Sequence, residues 1–268
     1  ELDAVDAKIE RLAAAGVHAE KLDAAALYRA EPALAPGLAG GMRVAREAVV
    51  YPPNVARHLV REAVDRGARF HAGRVHALEG AGVVLEDGQR LAGRVLVASG
   101  CALPELLPEL PLRPRKGQLV ITDRYPDLVR HQLLALDYAT SAHGQADSSV
   151  AFNVQPRPTG QILIGSSREF GSTDREVSLP LLQQMLQRAF DYLPTLAALQ
   201  AIRIWTGFRP ATPDGRPYLG AVPGREGVYV AGGHEGLGVT TALGGARLLI
   251  DVLVGRQHLA AAVLRLHE

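Results

Sequence analysis

The stretch Ile204-Trp205-Thr206-Gly207-Phe208-Arg209-Pro210-Ala211-Thr212-Pro213-Asp214-Gly215-Arg216-Pro217-Tyr218-Leu219-Gly220 decides how this chain is read, together with residues 228–241. In these, a short apolar run, Val228-Tyr229-Val230-Ala231, leads into Gly232-Gly233-His234-Glu235-Gly236-Leu237-Gly238-Val239-Thr240-Thr241. The run is short and β-rich, as a buried strand should be. Glycines at 232, 233, 236 and 238 let backbone approach a flat ligand closely. From Thr240 the pattern is helical, with Leu243, Ala246, Leu249, Ile250 and Leu253 on one face. Strand, glycine loop and helix make an anion-binding arrangement, because unpaired N–H groups and the positive end of the helix dipole point into the loop. A tight turn closing an ordinary βα unit would look the same on glycine count alone.

Arg209 sits in Phe208-Arg209-Pro210, just before the turn-rich Thr212-Pro213-Asp214-Gly215. An arginine among apolar residues is costly to bury without a partner. Its planar fork suits a carboxylate held bidentately. Two partners satisfy that requirement: a ligand carboxylate, or a structural acid such as Asp214.

Gly207-Phe208-Arg209-Pro210, Thr212-Pro213-Asp214-Gly215, Pro217, Gly220 and Gly233-His234…Gly238-Val239-Thr240 together resemble the C-terminal signature of the D-amino-acid oxidase/glycine oxidase family. The combination is far more specific than a lone glycine motif. The resemblance implies FAD as cofactor, a flavin over the loop from Gly233 through His234, Glu235, Gly236, Leu237, Gly238 and Val239 to Thr240, and Arg209 binding the substrate carboxylate. Gly-His-Glu-Gly-Leu-Gly, with Gly165-Ser166-Ser167-Arg168-Glu169-Phe170, is most similar in wording to D-hydroxyproline dehydrogenase-like members, which pass electrons to a partner protein rather than to oxygen.

The 268 residues are 47% hydrophobic, enough for one large or two small cores. A formal net charge of +1 and the lack of a basic stripe give no argument for a nucleic-acid partner. No apolar run is long enough to span a bilayer and no signal peptide is visible, although the chain does not begin with Met. One cysteine, Cys101, excludes an internal disulfide framework and suits a reducing compartment. The nine His residues are scattered without metal-ligand spacing. The expected location is cytoplasmic, with the inner face of the cell membrane as a peripheral site.

Along the chain, residues 1–35 read as helices, with Gly16 as a stop and Asp23 as an N-cap. Tyr51-Pro52-Pro53 opens a helix whose Val55, Leu59 and Val60 are expected to face the core and which Gly67 ends. Phe70 is expected to begin a strand, and Val75–Glu79 and Val83–Glu86 to pair. Arg94–Ala98 reads as a buried strand running into Ser99-Gly100. By resemblance, backbone near Val75 meets the adenine side of FAD and Gly100 lies in the loop at the diphosphate; a plain αβ layer accounts for the same residues. A Gly-x-Gly-x-x-Gly turn after a first strand is absent before residue 45, so the reading expects a chain lacking the first phosphate-binding unit.

Leu103–Pro114 reads as a linker. Arg115 and Lys116 open a strand that resembles the family's entry into the substrate domain, or are solvated strand-edge charge. Leu133–Tyr138, Val150–Val154 and Gln161–Gly165 alternate as antiparallel strands do. Asn153 stands where the family strand often carries a Tyr over the substrate. Arg168 and Glu169 either line the pocket or pair with each other. Leu181, Leu182, Met185, Leu186 and Ala189 form an amphipathic helix capped at Ser178.

The fold expected is α/β with α+β character: a partial FAD-binding, Rossmann-like domain with an inserted antiparallel-sheet substrate domain. The divisions are 1–44, a helical segment; 45–103, part of the FAD domain; 104–200, the substrate domain; and 201–268, the C-terminal FAD part. The resemblance implies oxidation of an α-amino or imino acid by hydride transfer to flavin N5, with Arg209, Asn153 and Arg168 around the substrate and no assigned catalytic side chain. The cofactor carries the chemistry and the protein supplies orientation and electrostatics. The implied partners are a small amino or imino acid and an electron-accepting protein subunit. The alternative is a truncated flavoprotein module acting through protein contacts.

Overall fold

The computed structural model describes residues 2–138 and 147–256, so the tail of the expected C-terminal FAD part lies outside the described residues. Helices and sheets are mixed, as the α/β reading requires, in two compact units: Glu1–Val50 with Lys116–Gly207, and Tyr51–Arg115 with Phe208–Glu268.

The first unit opens with α1 (Val5–Ala14), which stops before Gly16 at φ 74°, and α2 (Ala24–Ala30), capped by Asp23 Oδ1 accepting from Ala26 N at 2.7 Å. Between and after them lie two strands missing from the sequence reading, β1 (Ala19–Asp23) and β2 (Gly40–Val44), paired antiparallel. Their residues, Ala-Glu-Lys-Leu-Asp and Gly-Gly-Met-Arg-Val, lack the β-branched alternation that marks a strand, and cross-strand pairs such as Glu20–Arg43 help hold them. The main sheet runs in the order β11 (Ala201–Ala211), β7 (Arg113–Arg124), β10 (Gln161–Phe170), β9 (Ser148–Pro156), β8 (Leu133–Leu134). Strand β9 is antiparallel to both β8 and β10, with Val154 opposite Ile164. Alternation turns Phe152, Val154, Ile162 and Ile164 to one face, against Leu182, Met185 and Ala189 of α5 (Leu179–Tyr192). Ser178 does not cap this helix through its hydroxyl; Gln118 holds its backbone from both sides, accepting from Ser178 N at 2.6 Å and donating to Ser178 O at 3.3 Å. Lys116 is also not solvated strand-edge charge: its side chain is buried and bonds Asp174 and Ser172.

In the second unit α3 (Pro52–Asp65) begins at the two prolines and gives way to Gly67, φ 98°. None of its residues is buried, so the expectation that Val55, Leu59 and Val60 face the core is corrected: they are 38–46% exposed. Amphipathic spacing reports an apolar face but not what covers it. Phe70 is exposed and starts no strand; pairing begins at β3 (Val75–Leu78), next to β4 (Gly82–Leu85) and β5 (Arg90–Ala92). The segment read as a linker is packed, not loose. It holds α4 (Leu103–Leu106), and Leu103, Leu107 and Leu110 form a core with Val97, Val228 and Val230. A separate sheet runs β12 (Tyr218–Ala221), β13 (Val228–Gly232), β6 (Val95–Val97), followed by α6 (Gly238–Leu253). On α6, Leu249 is buried and Gly245 lies against Leu219, while Leu243 is 70% and Ile250 51% exposed.

Candidate active site

Strands β13 and β6 are parallel, with Val230 opposite Val97. Gly233 and Gly100 each follow three residues later, so the register brings both glycine loops out at the same carboxyl edge, where open α/β sheets bind ligands. Gly100 is left-handed, φ 60°, with nothing within 4 Å of a Cβ placed there. Val75 belongs to the other sheet, as the first residue of β3.

The loop after β13 is stitched to the end of β11. Ala211 and His234 form an antiparallel bridge, and Glu235 N donates to Pro210 O at 3.0 Å. Gly233 is required by this packing: at φ 77°, a Cβ would stand 2.4 Å from Thr212 Cγ2. A Cβ on Gly236 would stand 3.1 Å from Arg209 Cδ and 3.3 Å from its Nε, so the loop lies along the stem of Arg209. Gly238 differs. A Cβ there meets only His234 Cβ, at an ordinary 3.7 Å, so packing within the protein does not demand glycine at this helix start. No side chain caps α6, and Val239 and Thr240 are exposed at its first turn.

Glu235 is held by a residue that the sequence reading leaned towards placing in solvent. Arg115 Nη1 lies 2.5 Å from Glu235 Oε1, and the two side chains are only 2% and 15% exposed. Glu235 has φ 42°, an unfavourable conformation for a non-glycine residue, fixed by this pair and by its bond to Pro210. The strand-opening Arg-Lys pair was the only signal for this contact.

His234 Nδ1 lies 3.0 Å from Thr241 Oγ1, whose hydroxyl donates to Leu237 O at 2.8 Å; Nδ1 is therefore the protonated nitrogen. Thr241, rather than Thr240, is the threonine in the loop's hydrogen bonding, and nothing in the sequence separates the two. Burial lowers the His234 pKa from its ordinary 6.5, which keeps the ring neutral near neutral pH. The unfolded chain then takes up this proton first as pH falls. His234 costs no stability above pH 6.5 and destabilises the fold progressively below it. His234→Asn is expected to flatten the fall of melting temperature on that acid side; an unchanged slope would remove His234 from the account.

The other two expected site residues lie in the first unit. Asn153 is on β9, on the face opposite Phe152 and Val154, and accepts from Gln155 Nε2 at 3.2 Å. Arg168 does not pair with Glu169, its neighbour on β10. It donates to Ser166 Oγ at 3.4 Å and to Tyr138 Oη at 3.2 Å. Tyr138 was missed as a site residue; its only signal was an aromatic ending an alternating run.

A parallel strand pair with glycine loops at one edge and an uncapped helix start is the framework of a dinucleotide-binding flavoprotein. The family model for FAD-dependent oxidoreductases, DAO, matches residues 1–252, and the chain belongs to this family. It is 31% identical over 246 residues to a glycine oxidase of Pseudomonas aeruginosa, covering 86% of this chain and 62% of that protein. It is 30% identical over 279 residues to a D-amino acid dehydrogenase of Xanthobacter autotrophicus, covering 96% and 61%. The crystal structure of glycine oxidase from Geobacillus kaustophilus superposes with a TM-score of 0.81 at 28% identity, covering 99% of this chain and 72% of that one. The chain thus spans about three fifths of the length of the two sequence relatives.

The residues present fit the ring end of FAD. The start of α6 leaves room above Gly238, its N–H groups lack a side-chain cap, and Gly100 is open. A Gly-x-Gly-x-x-Gly turn between a strand and a helix, which would hold the pyrophosphate, is not among the described residues.

Proposed function

We propose that this chain carries the flavin-facing and substrate-facing parts of an enzyme that oxidises an α-amino or imino acid, of the D-amino acid, glycine or hydroxyproline type. The observation that carries the reading is the packing of the Arg209 stem against Gly236 of the glycine–histidine loop. It sets a bidentate carboxylate anchor beside the loop assigned to the ring. FAD, when bound, supplies the two-electron acceptor. Arg209 holds the carboxylate and so orients the α-carbon. The amide groups of Gly238, Val239 and Thr240, at the positive end of α6, offset negative charge on the ring's pyrimidine side. Gly233, Gly236 and Leu237 shape the loop, the Arg115–Glu235 pair fixes it, and His234 stays neutral above it. Gly100 and Val75 complete the FAD side, residues 45–103 with 201–268. Asn153 and Arg168 belong to the substrate side, within 104–200.

The relatives carry the names of both oxidases and dehydrogenases, so an electron-accepting protein subunit is proposed as a partner beside the amino or imino acid. No helix among the described residues is long and apolar enough to cross a membrane; the proposed location is the cytoplasm, including the inner face of the cell membrane. A second reading, a module acting through protein contacts alone, draws support from the exposed apolar residues of α3 and α6.

Two measurements separate them. After extensive dialysis the purified chain is expected to hold little flavin, because no Gly-x-Gly-x-x-Gly turn between a strand and a helix is among the described residues; one flavin per chain would show that other residues grip the pyrophosphate. With FAD in excess, glycine, D-amino acids and hydroxyproline are screened with a dye acceptor and with oxygen. Turnover of these acids but not of the matching amines supports the enzyme. Bound flavin with no turnover of any of them leaves the module.

A further inference from the structure

The β9–β10 sheet holds a buried charge without a counter-charge among the described residues. Arg168 is only 4% exposed. Its hydrogen-bond partners, Ser166 and Tyr138, are neutral, and among the described residues no carboxylate lies within ion-pair distance of it. The stretch 139–146, Ala-Thr-Ser-Ala-His-Gly-Gln-Ala, contains no acid either. Arg168 Nε is buried with no hydrogen-bond partner, and so is Ser149 Oγ. These two residues are direct cross-strand partners, so they share a face, and Asn153 hydrogen-bonds to the same Tyr138 that Arg168 reaches. A buried guanidinium with neutral partners alone is strongly unfavourable, and water would satisfy the hydrogen bonds but not the charge.

We propose that Arg168 and Ser149, with Ser166, Tyr138 and Asn153 around them, form a carboxylate subsite within the first unit, one separate from Arg209. It rests on the amino-acid reading above for its natural occupant, a carboxylate of the substrate. The carboxylate accepts from Arg168 and from the Ser149 hydroxyl, which fills both vacancies and cancels the charge. Tyr138 reports on the site: burial would raise its pKa, but the Arg168 charge and hydrogen bonds from Arg168, Ser166 and Asn153 outweigh it, so the phenol lies below its ordinary 10.0.

The test is calorimetric titration of the chain with acetate, with glycine, and with methylamine as the control lacking a carboxylate. Wild type and Arg209→Gln are both expected to bind acetate and glycine and to ignore methylamine. In the Arg209→Gln background, which removes the other anchor, Arg168→Gln is expected to lose this binding by roughly thirtyfold or more, and Arg168→Lys to lose less. Carboxylate binding unchanged when Arg168→Gln is added to Arg209→Gln, or lost in Arg209→Gln alone, overturns the subsite. Binding lost in the double variant but kept in Arg209→Gln supports the subsite whatever becomes of Arg209. If Arg168→Gln does not fold, wild type decides. Saturating acetate should move the Tyr138 titration to higher pH, a shift read by tyrosine absorbance and missing in Tyr138→Phe. No shift in wild type would overturn the proposal.

Discussion

Glu235→Ala is expected to destabilise the second unit by roughly 3–5 kcal/mol, the cost of leaving one member of a buried ion pair without its partner's charge. Arg115 stays almost wholly buried beside the vacancy. The loss should appear in denaturant titration followed by circular dichroism as a lower midpoint with an unchanged slope. Arg115→Met combined with Glu235→Gln should recover part of it, because the buried charge leaves with the arginine. A midpoint that stays put in Glu235→Ala would show that solvent or other groups already satisfy Arg115. The two positions are 120 residues apart, so the pair also ties the start of β7 to the loop before α6.

Arg209→Met should lower kcat/KM by about 2–5 kcal/mol with substrates that carry the carboxylate. Arg209→Lys should sit between Met and wild type, mainly through a higher KM, since it keeps the charge and loses the fork. An amine without the carboxylate should react poorly with wild type and gain relatively in the Met variant. Reduction of the flavin by dithionite should be normal in both variants. Lower melting temperatures with unchanged kinetics would make Arg209 a structural residue, and the carboxylate would then be sought at Arg168.

Local chemistry made much of this fold legible. Asp23, Pro52-Pro53, Gly16 and Gly67 mark helix ends through single-residue properties, and each end falls where those properties place it. The strand, glycine turn and helix around His234 were legible for the same reason, since each is a local pattern, whereas the contacts that pin the loop to Pro210, Ala211, Thr212 and Arg115 were not. What escaped depends on partners distant in sequence. Arg115 looks like any strand-edge cation until Glu235 is brought to it, and Tyr138 gains its role only from Arg168, 30 residues on. The α3 face misled for a related reason: Val55, Leu59 and Val60 have core spacing, yet burial is a property of what lies opposite.

Strand β6 is the outer strand of its three-stranded sheet, joined in parallel to β13 on one side. Its other side presents a row of backbone donors and acceptors, and parallel strands are seldom left half-paired in water. Its flank is anchored where Arg94 Nη1 donates to Leu253 O at 2.6 Å. Such an edge is a template. The edge can pair with that of a neighbouring copy, so concentration, rather than temperature, is the variable that should govern how long the chain stays dispersed.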